Sequence, residues 1–166
     1  MSDGPSTSRV NIEISITSAS WSVLGNLVEL TEAAIAESIR QTHVRVKPGA
    51  ELSILFCDDD FIRALNRRWR GCDAPTNVLS FPPPAGAAGA LGDIAIAYET
   101  TVREAQTEGK KLKDHVIHLL VHGFLHLVGY DHQNDAEAAE MERLEGAILA
   151  AFGVADPYGA LVGIPS

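Results

Sequence analysis

The chain has 166 residues, a hydrophobic fraction of 46% and a net charge of −9, with a mean hydropathy close to zero. This supplies one buried core without requiring a second domain, and it excludes a disordered chain. The acidic balance also excludes a general nucleic-acid-binding surface, which is normally basic.

A local basic face stays open. Arg40, Arg45, Lys47, Arg63, Arg67, Arg68 and Arg70 are seven of the 13 cations, whereas Asp135, Glu137, Glu140, Glu142 and Glu145 crowd the C-terminal part. Such a face can contact phosphate, although a solvated helix face is the commoner use of these charges. The start, MSDGPSTSRV, is polar, so no signal peptide is expected. His118, His122 and His126 interrupt the longest apolar run, so no membrane span is expected either, and the expected compartment is the cytosol. Two cysteines are too few for a disulfide framework; Cys57 reads as a small core residue.

In chain order, Val10, Ile12, Ile14 and Ile16 alternate with polar residues as a strand does. Helical spacing follows from about Val23 to Ile39. Leu52, Ile54 and Phe56 alternate as a second strand, which stops at the N-cap cluster Asp58-Asp59-Asp60. The next helix carries Phe61, Ile62, Leu65 and Trp69 and breaks at Gly71. Asn77–Phe81 reads as a short buried strand, Pro82 to Gly92 as a loop, and Asp93–Tyr98 as a fourth strand. Thr101 with Glu104 fits a capping box. Asp114 can cap a helix, apolar on nearly every face, that runs to Gly129 and belongs in the middle of the protein. Asn134 with Glu137 opens a last helix with the apolar stripe Met141, Leu144, Ile148 and Phe152. The order β-α-β-α-β-β-α-α-α predicts an α+β fold, a mixed sheet of about four strands covered by helices. One domain is expected over 10–157, with tails at 1–9 and 158–166.

The stretch "HGFLHLVGYDH", His122 to His132, carries the chemistry. His122 and His126 are four apart on a helix and share a face. Gly129 suits a left-handed helix end, after which His132 can return to the same ion. Three imidazoles with an open fourth position make a catalytic-type zinc site. His118, one turn earlier, is the rival ligand or else a buried residue. Asp131 can hydrogen-bond a ligand imidazole and fix its tautomer, or cap the turn. The spacing is that of zinc proteases, but Gly123 stands where they carry the glutamate that shuttles the proton. Ordinary peptide hydrolysis is therefore not expected.

Three blocks, Pro75 to Pro82 (PTNVLSFP), Gly92-Asp93-Ile94 and His122 to His132, are together similar to those of the YbeY-type endoribonucleases, the ribosomal RNA maturation factors. The resemblance covers most of the chain from about Glu51. It implies metal-dependent cleavage of single-stranded RNA in maturation of small-subunit (16S) ribosomal RNA and in ribosome quality control. It also implies His122, His126 and His132 as ligands of one zinc ion, and Arg70 as the functional arginine. The implied partners are ribosomal RNA, a small-subunit ribosomal protein and a ribosome-associated GTPase. The family usually has a lysine where this chain has Cys72, which removes a cation near the expected cleft. Arg63, Arg67 and Arg68 can hold the RNA backbone. Trp69 can stack on a base, although its spacing from Leu65 favours core packing. A structural zinc in a ribosome-docking factor is the alternative reading.

Overall fold

The strand pattern of alternating residues is realised in a four-stranded mixed sheet. The computed structural model describes residues 10–87 and 89–158; the expected tail at 1–9 and, apart from Tyr158, the expected tail at 158–166 lie outside the described residues. The strands are β1 (Val10–Ile16), β2 (Ala50–Cys57), β3 (Val78–Phe81) and β4 (Ala90–Ala97), and the helices are α1 (Leu27–Thr42), α2 (Asp59–Arg70), α3 (Tyr98–Glu108), α4 (Leu112–Leu127) and α5 (Asp135–Ala150). The sheet order is β1-β2-β4-β3. β1, β2 and β4 are parallel, and β3 runs antiparallel to β4.

The period-2 geometry sends alternate residues to opposite layers. Leu52, Ile54, Phe56, Ile94 and Ile96 face the main core, built with α1, α4 and α5. Cys57, Leu79, Ala95 and Ala97 face a smaller cluster that Ile62 of α2 closes. α4 packs against α1, α3, α5, β3 and β4, which is why its sequence is apolar nearly all round.

Capping chemistry explains several boundaries. Asp58 accepts from the Phe61 N–H at 2.8 Å, and Asn134 accepts from that of Glu137 at 2.9 Å. Other expected boundaries are corrected. α1 starts at Leu27 rather than Val23, because Ala19–Val23 forms a 3₁₀ turn that buries Trp21. That indole donates to the Cys57 carbonyl at 2.9 Å and meets Phe56 and Tyr98 edge-on. Thr101 is no N-cap. α3 already begins at Tyr98, and the Thr101 hydroxyl donates back to the Ala97 carbonyl at 2.6 Å. α4 begins at Leu112, before Asp114. Ala90, Leu91 and Gly92, expected in the loop, belong to β4.

Candidate metal centre

His118, His122 and His126 follow one another at single-turn spacing and form the half-buried stripe of α4. The helix stops in a Schellman arrangement. Tyr130 N–H donates to Leu125 O at 2.9 Å and Gly129 N–H to His126 O at 3.2 Å, with Gly129 at φ 105°, a backbone region open to glycine. The reversal brings Asp131 and His132 back beside the helix. Donor atoms of His126, Asp131 and His132 all lie within 4.8 Å of one another, and Nε2 of His122 lies 3.1 Å from Nε2 of His126. Asp131 also accepts from the His132 backbone N–H at 2.8 Å, so its carboxylate fastens the turn as well as joining the donor set.

The protonation pattern tests whether these residues suit a cation. His126 Nδ1 faces the Tyr130 carbonyl at 3.1 Å, an acceptor, so Nδ1 carries the proton. His122 Nδ1 faces a Glu145 oxygen at 2.5 Å. Burial opposes ionisation of that carboxyl, yet hydrogen bonds from His118 and His122 prevail and hold its pKa at about 2; here too the proton sits on Nδ1. Burial and the neighbouring His122 and His132 rings push the His126 pKa below its ordinary value, which keeps that ring neutral. In the neutral form of each ring, both Nε2 atoms present lone pairs to each other. Two acceptors in this position suit a cation between them, and imidazole with carboxylate is a zinc-type donor set.

Glu145 is the residue that sequence reasoning missed. Grouped by charge with the acidic C-terminal residues, it is instead fully buried (0% exposed). One signal was available: it falls on the inward stripe of α5 with Met141, Leu144, Ile148 and Leu149. His118, the rival ligand, directs Nε2 to Glu145 at 3.4 Å; like His122 it lies outside the three-residue donor set found among the described residues, and His122 differs from it in the 3.1 Å approach of its Nε2 to that of His126.

His122, His126, Asp131 and His132 line one cleft of about 1170 Å³ that also contains Arg70, Ser80, Glu104, His115, His118 and Tyr158. Arg70 comes from the last turn of α2. It donates to the Ser80 carbonyl at 2.9 Å and its guanidinium lies over the Phe81 ring at 5.7 Å. Arg67 and Arg68 are exposed on the same turn but do not line the cleft. Trp69, expected to pack in the core, is 62% exposed. The Arg68 guanidinium lies over its ring, 5.2 Å from the centroid.

Gly123 has a packing reason. A Cβ there would meet Ser80 Oγ at 3.1 Å and Ile94 Cγ2 at 3.2 Å, and the Gly123 carbonyl accepts from Ser80 Oγ at 3.0 Å. This side of α4 packs closely on the sheet, at the position where a zinc protease carries its glutamate.

An α+β scaffold with a histidine-lined cleft and a candidate metal centre at a helix end is the class of protein that the fold and the site define. Within it, the chain belongs to the family described as Endoribonuclease YbeY, whose sequence model matches residues 15–153. A relative of that name from Methylocella silvestris is 52% identical over 89% of this chain and 85% of its own length. Another from Beijerinckia indica is 52% identical over 89% of this chain and 76% of its own. A solution structure from Thermotoga maritima shares the fold, with a TM-score of 0.53 at 22% identity, over 86% of this chain and 91% of that one.

Proposed function

We propose that this chain is a zinc-dependent endoribonuclease that cuts single-stranded RNA and acts in maturation of small-subunit ribosomal RNA and in ribosome quality control. One observation carries the reading: the facing Nε2 atoms of His122 and His126, 3.1 Å apart, share a cleft with an arginine that has no carboxylate partner among the described residues. In this reading His122, His126 and His132 hold the ion, with Asp131 beside them. When bound, the ion supplies Lewis acidity at a phosphoryl oxygen.

The chain's own residues then divide the remaining work. Phosphodiester cleavage builds negative charge on the non-bridging oxygens, and a guanidinium can bind two of them. Arg70 uses one donor on Ser80 and keeps four for phosphate, its plane steadied by Phe81. Arg67 and Arg68 hold the backbone of the flanking RNA, and the exposed Trp69 offers a base a stacking surface.

The test is cleavage of an end-labelled single-stranded RNA by wild type, His126→Ala and Arg70→Ala, before and after chelation and zinc add-back. Loss of cleavage on chelation, its return with zinc and a fall of at least about 100-fold in both variants are expected, the scale of losing a preorganised charge-stabilising group. Equal cleavage by all three proteins would defeat the reading. The exposed acidic side of α5, with Asp135, Glu137 and Glu140, supports the second reading. In that reading the chain docks on a basic small-subunit ribosomal protein or a ribosome-associated GTPase and the zinc is structural. Tight zinc binding without cleavage would favour it.

A further inference from the structure

A carboxylate with no exposed surface needs donors, and Glu145 has two: His118 Nε2 at 3.4 Å and His122 Nδ1 at 2.5 Å. Its neighbours on the inward stripe of α5 are Met141, Leu144, Ile148 and Leu149. A well-packed apolar side chain in such a place is often neutral or stabilising relative to a buried ionic group. Stability alone therefore does not account for a glutamate there, and what it touches does.

Resting on the metal-centre reading above, we propose that Glu145 is the positioning residue of that centre. By accepting the His122 Nδ1 proton it fixes the ring in one tautomer and orients the Nε2 lone pair towards Nε2 of His126. Its other oxygen accepts from His118 Nε2 at 3.4 Å, while His118 Nδ1 is buried without a hydrogen-bond partner. A ligand imidazole commonly has such a partner for its second nitrogen, and losing that partner weakens metal binding. Here the partner comes from α5, 23 residues from His122.

Zinc competition against a chromogenic chelator and imidazole ¹H–¹⁵N correlation spectra of the metal-free protein test this in wild type, E145Q and E145A. The wild-type spectrum is expected to show His122 protonated at Nδ1. E145A should lose that pattern and bind zinc about 10- to 100-fold more weakly, whereas E145Q, whose amide oxygen still accepts, should stay within about threefold. Wild-type zinc affinity with an unchanged His122 tautomer in folded E145A would overturn the proposal. So would E145Q weakening as much as E145A. Should E145A fail to fold, the wild-type spectrum decides alone, because a His122 proton found on Nε2 also overturns it. Wild type that takes up no zinc is a separate result, and it sinks the metal-centre reading itself.

Discussion

Gly123 shows how one residue can exclude an activity. The helix and the histidine spacing are those of a zinc protease, but this position packs against Ser80 and Ile94. Restoring the sequence of a protease should therefore not restore its chemistry. Gly123→Glu is expected to gain no peptidase activity and to lose at least about 3 kcal/mol of stability, the upper range for overpacking before burial of a carboxylate is counted. Urea denaturation of the variant beside wild type measures the loss. A stable variant that cleaves peptides would show that the side chain reaches the cleft. Gly92 makes a comparable close approach at φ 130°, where a Cβ would lie 2.6 Å from Phe81 O and 2.8 Å from Leu127 Cδ2. It lets the end of α4, and with it His126, come down on the sheet.

Between elements, His115 joins α4 to α3 and β3. The ring donates from Nε2 to Glu104 Oε1 at 2.8 Å, and the same oxygen accepts from Asn77 Nδ2 at 2.9 Å. Burial pushes the His115 pKa below its ordinary 6.5, with Lys110 adding to the shift and Glu104 and Glu108 opposing it. The unfolded chain therefore binds a proton below pH 6.5 that the folded chain resists. The contribution to stability is complete above that pH and is lost as pH falls towards the folded value. The urea midpoint should drop between pH 7 and pH 5.5, and His115→Gln should lessen the drop; equal drops in both proteins would refute the assignment. The α3–α4 junction was only partly legible in the sequence. The apolar period of α4 and the caps at Asp58 and Asn134 can be read locally, because each depends on residues within one turn. Glu104 was legible as half of a capping box, yet its real partners lie 11 and 27 residues away. Glu145 was hidden for the same reason, since its role exists only once α5 packs on α4. Trp69 misled because helical spacing says which side a residue faces, not whether anything lies beneath it.

At the scale of the whole molecule, the difficulty is that a chain of net charge −9 is proposed to bind RNA. The charge distribution answers it. The last turn of α2 carries Arg67, Arg68 and Arg70, and none of the three has a carboxylate partner among the described residues, unlike Arg63, which pairs with Asp73 at 2.8 Å. At physiological salt the influence of an exposed carboxylate fades beyond about 8 Å. Affinity should then follow the local cations rather than the net charge. Each neutralised phosphate of a single strand contributes about 0.7 to the slope of log affinity against log salt, so three cations give a slope near −2. Fluorescence anisotropy with a short 2′-O-methyl RNA, which resists attack by its own 2′-oxygen, measures that slope without cleavage. Replacing Arg67 and Arg68 together by alanine should bring it to about −0.7 and weaken binding at low salt while leaving zinc uptake unchanged. A slope near −2 in the double variant would move the RNA off α2. Quenching of the exposed Trp69 on titration, with the buried Trp21 as an internal reference, would show that the same turn carries a base as well as a phosphate.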